Sequence, residues 1–285
     1  MPEDFFAGVE QLDADIGGIK AKTPTFYREA RCFTAVFPAR LLEIRRRLPD
    51  RRFVPAQVLP GIGAVHLTAF EYFDTDIGPY EEFAVGFLLN SEHFLQVPGY
   101  NLLRQLMQNS FCTYIHRLPV TTEVAMRGGV ELYNYPKFMA SIEFTDSADR
   151  VTCELAEADD LICRISGRKI PSARSAVMKY FARLYQFGQP QSAEFKLNAR
   201  GYGMSLGHSK VTCELGDSHP LARELRSLLI SMSPIAYVYI PDMQAILYGP
   251  DHLSLASVAL FMERVLGVST SELAALVEKS REGDG

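Results

Sequence analysis

Several features that assign a protein quickly are missing from this 285-residue chain. Its five cysteines, Cys32, Cys112, Cys153, Cys163 and Cys213, are odd in number, scattered and never spaced Cys-x-x-Cys. That pattern argues against a disulfide framework or a zinc knuckle and makes reduced thiols in a cytoplasmic protein the expectation. The six histidines show no His-Glu-x-x-His or similar spacing, so no metal is expected. No run approaches the ~20 apolar residues of a membrane-spanning helix. Leu253 to Met262 comes nearest and stops at Glu263, and Met1 to Gly8 carries acids rather than the apolar core of a secretory signal. Positive charge is not in excess either. A net charge of -5 gives no electrostatic reason to expect nucleic acid or an anionic membrane as partner, and Arg45, Arg46, Arg47, Arg51 and Arg52 read as a solvated helix face. Without an internal repeat or low-complexity linker, residues 1–285 read as one domain.

What is present is a composition that is 47% hydrophobic and 22% charged, which suits a globular protein with a sizeable core. Phe33 to Phe37 reads as a short strand ended by Pro38, and Leu41, Leu42, Ile44 and Leu48 as a helix of about two turns. Val65 to Phe73 and Phe83 to Leu89 form a predicted hairpin around Gly78 and Pro79, with Glu71 in its first strand and Glu82 leading into the second. A helix within His93 to Phe111 and a strand over Cys112 to Val120 follow. Ser141 to Phe144, Val151 to Leu155 and Leu161 to Ile165 suggest a meander, and Met178 to Phe187 with Ala193 to Leu197 another pair. Lys210 to Leu215 adds a strand, Leu221 to Leu229 a helix, and Ile235 to Ile240 and Met243 to Tyr248 return to strand. Many short strands against few helices predict an α+β chain, mostly antiparallel β, closed or nearly closed on itself with helices outside. A helical C-terminal extension is expected at about 251–282, where Asp251 can cap one helix and Ser269 with Glu272 has capping-box spacing for another.

Two patterns point weakly to chemistry. Gly203, Met204, Ser205, Leu206, Gly207 spells the Gly-x-Ser-x-Gly of a hydrolase elbow, but an elbow needs a helix directly after it, and His208 to Leu215 alternates like a strand. A glycine-rich turn between strands is the better reading. Ser166 and Lys169 match Ser-x-x-Lys in a basic loop beside Pro171, a weaker signal still.

The stretch Glu131, Leu132, Tyr133, Asn134, Tyr135, Pro136, Lys137 places a lysine among aromatics, with Phe138 and Met139 after it. A lysine attacks carbonyl carbon only when neutral, and at an unperturbed pKa of ~10.4 about one in 2500 is neutral at pH 7. A dry, apolar pocket shifts that balance because the ammonium loses its water. Taken alone, Lys137 also fits an exposed turn, and Glu71 a structural ion pair with Arg28 or Arg31.

This stretch resembles the acetoacetate decarboxylase family, whose Schiff-base lysine directly follows proline in a Glu-x-x-x-Tyr-Pro-Lys type segment. The similarity runs back through Tyr114, Ile115, His116, Ala125 and Gly129, the Phe70-Glu71 strand and Tyr80, Glu81, Glu82, covering roughly residues 25 to 145. It implies a cone-like closed or double-layered β-barrel with peripheral helices, a homo-oligomer, and decarboxylation of acetoacetate or a related 3-oxo acid without a cofactor. Under it Lys137 forms the imine, Glu82 transfers protons, Glu71 orients polar groups, Arg31 or Arg28 takes the substrate carboxylate, and Tyr135 and Phe138 line the pocket. Three positions depart from the family pattern. Phe138 stands where a second lysine is frequent, Val130 replaces an arginine, and Ala30 occupies the position of the substrate-side arginine. Activation of Lys137 is therefore expected from burial rather than from a neighbouring cation. An imine-forming aldolase or dehydratase, and a barrel that binds small ligands without chemistry, are the alternatives.

Overall fold

The structure, a computed structural model, describes residues 4–16, 19–91, 97–172, 174–186, 188–207 and 210–251. The expected C-terminal helices lie beyond these residues, apart from Asp251. In chain order the elements are β1 (Leu12–Ile16), β2 (Ile19–Thr23), β3 (Thr25–Arg40), α1 (Leu41–Arg47), β4 (Gln57–Leu59), β5 (Ile62–Thr75), β6 (Tyr80–Leu88), α2 (Tyr100–Gln108), β7 (Ser110–Arg117), α3 (Glu123–Tyr133), β8 (Ser141–Asp146), β9 (Arg150–Glu157), β10 (Asp160–Arg168), β11 (Arg174–Gln186), β12 (Gln189–Leu206), β13 (Val211–Leu215), α4 (Pro220–Leu228) and β14 (Ala236–Asp251).

Seven strands pair in the order β3-β14-β12-β11-β7-β6-β5, and β5 returns to β3, closing a barrel. All these pairings are antiparallel except β7 with β11. A second sheet, β13-β10-β9-β8, covers one outer side. The sequence carries this double layer directly. On β3, β5 and β6, Phe33, Ala35, Phe37, Val65, Leu67, Ala69, Phe83, Val85 and Phe87 recur at every second position and pack outward against Val151, Cys153, Leu155 and Ile162. The intervening residues, among them Ala30, Cys32, Tyr72 and Tyr80, point into the barrel. One face of each strand thus feeds a sheet-on-sheet core, and the other furnishes the interior where a site can form.

Most expected elements are present, with informative differences. The first strand is much longer than Phe33 to Phe37, because its charged upstream half continues the ladder to β5 across two register shifts. The two strands expected at the end of the chain are one, β14, with irregular register between Ile240 and Ala245. Helix α3 was not expected, since Gly128 and Gly129 sit inside it. Ser205 lies within β12 opposite Tyr237 and is followed by β13 rather than a helix, so the hydrolase elbow is absent; Gly207 ends the strand at φ +84. Ser166 lies in β10, and Lys169 pairs with Asp146 at 2.6 Å. At α4, His219 Nδ1 accepts the Leu221 N–H at 3.1 Å and Pro220 opens the first turn, a side-chain cap with a residue preset for helix.

One polar layer crosses the barrel on the same face as Glu82. His66 places Nε2 2.9 Å from Thr113 Oγ1 and Nδ1 3.1 Å from Thr68 Oγ1, and Thr68 Oγ1 lies 3.0 Å from Thr34 Oγ1. Desolvation holds the His66 imidazole neutral, with its pKa lowered to about 4 from an ordinary 6.5. The unfolded chain therefore binds a proton here that the folded chain refuses, and stability falls as pH drops from about 6.5 toward 4. Urea midpoints between pH 7.5 and 4 should show that decline, and His66→Gln should lessen it; His116, lowered chiefly by burial, and carboxylates held low by their partners, such as Glu224 beside His116, supply the remaining slope. Equal slopes in both proteins would contradict the assignment.

Candidate active site

Helix α3 stops where its sequence tells it to. Asn134 adopts the left-handed conformation at φ 52, its N–H reaches the Gly129 and Val130 carbonyls, and Pro136 cannot continue the helix. The Tyr135 N–H bonds back to the Gly129 carbonyl at 3.0 Å, and the Lys137 N–H bonds to the Tyr135 carbonyl at 2.8 Å. The segment then lies along residues 118 to 120. Leu118 N–H donates to the Pro136 carbonyl (3.1 Å) and Val120 N–H to the Phe138 carbonyl (3.0 Å). Val120 also bridges to Glu82 on β6. A single extended residue thus separates the backbones carrying Lys137 and Glu82.

Their side chains meet inside the barrel. Lys137 Nζ lies 2.7 Å from Glu82 Oε2, with side chains only 7% and 10% exposed. Ion pairs this dry hold only where geometry and further hydrogen bonds offset desolvation. Tyr72 supplies one, a long 3.4 Å contact from its hydroxyl to Glu82 Oε1. Tyr80 places its ring centroid 5.7 Å from Nζ, near enough for a cation–π contact. The Tyr72 ring lies 4.7 Å from Tyr80 and 4.6 Å from Tyr27, and the Tyr27 and Tyr80 hydroxyls are 3.3 Å apart. Desolvation first, and then the Glu82 charge, push the Tyr27 and Tyr72 hydroxyls well above their ordinary pKa. Tyr80 and Tyr135 are raised as well, chiefly by burial. These phenols are fixed as neutral hydrogen-bond donors.

Gly129 explains the glycine pair inside a helix. A Cβ there would fall 2.4 Å from Lys137 Cδ and Cε and 3.1 Å from Nζ. Helix α3 lies directly on the lysine's methylenes, and this position gives up about 1 kcal/mol of helix propensity to let it pass.

Of the residues expected from sequence, Lys137 and Glu82 come together, and Tyr135 is buried and stacked on Tyr133 at 5.3 Å. Phe138 packs instead with the core between the sheets. Glu71, Arg31 and Arg28 are not brought to Lys137. Across the hairpin Phe70 faces Glu82 while Glu71 faces Glu81, so period-two alternation turns Glu71 outward. There Arg31 bonds Glu71 and, at 2.7 Å, Asp146, with its guanidinium over Phe144. Arg28 pairs with Asp76 at 2.6 Å. The structural ion pair considered for Glu71 is what forms. Tyr27, Tyr72 and Gly129 were not read as site residues; the hairpin register around Gly78, which sets Tyr72 opposite Tyr80, is the signal that could have found Tyr72.

A family model described as acetoacetate decarboxylase (ADC) matches residues 18–182. The chain belongs to the acetoacetate decarboxylase family. That match spans the barrel strands from β3 to β7, Glu82, α3 and the whole Lys137 segment. Among solved structures, an acetoacetate decarboxylase aligns at TM-score 0.56 and 14% identity, covering 80% of this chain and 88% of that one. The acetoacetate decarboxylase of Legionella pneumophila aligns at 0.54 and 11%, covering 81% and 87%. The enduracididine biosynthesis enzyme MppR, solved with pyruvate, aligns at 0.54 and 14%, covering 81% and 90%. At such identities the likeness is one of fold. No curated protein matches the chain. Family and fold together indicate a related enzyme and leave the reaction to be argued from the site.

Gly129→Ala should retain the fold and its thermal transition while slowing reductive alkylation of Lys137 by a small ketone at least roughly tenfold, because a displaced Nζ loses its reactive geometry. Circular dichroism and peptide mass mapping check the two halves. Unchanged alkylation would show that α3 does not set the lysine's position.

Proposed function

We propose that this enzyme decarboxylates acetoacetate or a related 3-oxo acid through an imine on Lys137. The observation that supports it most is the buried contact between Lys137 Nζ and Glu82 Oε2 at 2.7 Å, in the segment shared with the family. Proton transfer from Lys137 to Glu82 frees the amine lone pair. The nitrogen attacks the ketone carbon, and the carbonyl electrons move to oxygen, which takes the proton from Glu82. Glu82 then removes a proton from nitrogen and returns it to the departing hydroxyl. Water leaves, a protonated imine remains, and Glu82 is again a carboxylate.

The iminium nitrogen is the electron sink, so the chemistry asks for no further group. As the bond to the carboxyl carbon breaks, its electron pair forms the enamine double bond and carbon dioxide departs. Glu82, recharged with one proton from solvent, protonates the enamine carbon. Hydrolysis by the reverse of imine formation releases the ketone and restores the lysine. The proton exchanges between the amine and Glu82 cross the short distance that the ion pair already spans.

Acetoacetate should release carbon dioxide and acetone in equal amounts. Lys137→Met should reduce this to the uncatalysed background, and Glu82→Gln should lower kcat by roughly 10²- to 10⁴-fold. Carbon-carbon cleavage or water loss from another oxo acid, without carbon dioxide from any 3-oxo acid, would identify an aldolase or dehydratase instead. Ligand binding with no turnover would identify a binding barrel.

A further inference from the structure

The interior beside Lys137 contains a donor that the reaction as written does not use. Tyr27 and Tyr80 face each other with hydroxyl oxygens 3.3 Å apart, and either can be the donor. Two hydroxyls sharing one hydrogen bond commit one of their two O–H groups and leave the other free to donate. The neighbouring phenol, Tyr72, is committed to Glu82. The Tyr72 ring touches those of both Tyr27 and Tyr80, and Tyr80 faces Lys137 Nζ. The remaining O–H therefore lies in the buried aromatic cluster that adjoins Lys137 Nζ through the Tyr80 ring. Ala30, opposite Tyr72 in register and buried in the same cluster, has the short side chain that leaves this space to the rings. Arg28 and Arg31 are held by Asp76 and by Glu71 with Asp146, away from this cluster.

We propose that the paired hydroxyls of Tyr27 and Tyr80 bind the carboxylate of the oxo acid, making a neutral tyrosine pair the acid-recognition point of the Lys137 site. This rests on the imine reading above and adds the means by which the acid is held. Glu82 occupies the side of Nζ where the ketone oxygen must exchange protons, so the other oxygenated end of the substrate falls to a different donor. A neutral O–H orients a carboxylate without the charge neutralisation that a guanidinium would bring. The carboxylate consequently stays high in energy in a dry chamber, and the charge disperses as carbon dioxide leaves.

The test compares acetoacetate with acetone under borohydride. If decarboxylation precedes reduction, both leave the same isopropyl group on Lys137, so their difference reports handling of the acid. In Tyr27→Phe, Tyr80→Phe and the double variant, trapping from subsaturating acetoacetate should slow by roughly 10- to 100-fold, the loss expected for hydrogen bonds to a charged acceptor. Trapping from acetone should stay within about twofold. Slowing both substrates equally would mean that the pair only shapes the chamber, and slowing neither would mean that it is not used; either overturns the proposal. Absence of any adduct on Lys137 in the unmodified protein would instead overturn the imine reading itself. Replacing only the hydroxyl keeps each ring in its packing, and the acetone arm in each variant reports whether the chamber is intact.

Discussion

The arrangement depends on one buried contact, a lysine ammonium and a glutamate carboxylate 2.7 Å apart inside a closed barrel. Removing either partner of such a pair costs about 3 to 5 kcal/mol, because the other charge is left dry and unmatched. An apolar pair of similar volume would serve stability as well. What the ionic pair adds, in the proposed reaction, is a proton that can pass between the amine and the carboxylate where both side chains are largely shielded from water. The surrounding features follow from sustaining it: a neutral tyrosine, Tyr72, whose hydroxyl donates to the carboxylate without adding charge, a glycine that lets the lysine pass under a helix, and an extended residue, Val120, joining the two backbones.

The double layer makes this possible by sorting charge between two faces of the same strands. Glu71 and Glu82 lie on adjacent strands of one hairpin, yet one faces the flank of the second sheet and the other the barrel interior. Outward, Arg31 links Glu71 to Asp146 at the edge of β8 and ties the layers together. Inward, Glu82 keeps Lys137. A one-residue slip of β6 would turn Glu82 outward and bring Glu81, now bonded by Thr121, inward in its place.

Much of the architecture was legible because alternation and turn residues are local signals. The hairpin around Gly78, the meander from β8 to β10 and helix α4 follow from them directly. Helix α3 was hidden because Gly128 and Gly129 read as a break, whereas the glycine at 129 answers to Lys137, a residue eight positions later and a contact that local periodicity cannot express. Lys137 and Glu82 were legible through the resemblance to the family. Arg31 and Glu71 stand apart from Lys137 for a related reason: a resemblance supplies residue types in order, while the face each occupies depends on register. The tyrosine pair was missed because Tyr27 stands upstream of the strand expected at Phe33 to Phe37, and only the register shifts in β3 carry it inward beside Tyr72.

In the proposed reaction the lysine of this pair is the group that becomes covalently bonded to substrate. Peptide mass mapping after borohydride reduction in the presence of acetoacetate tests it most directly. The expected result is a single modified lysine, Lys137, bearing the mass of an isopropyl group, as left by an imine that has already lost carbon dioxide. An unmodified Lys137 while acetone still forms, or a label on any other lysine, would contradict it.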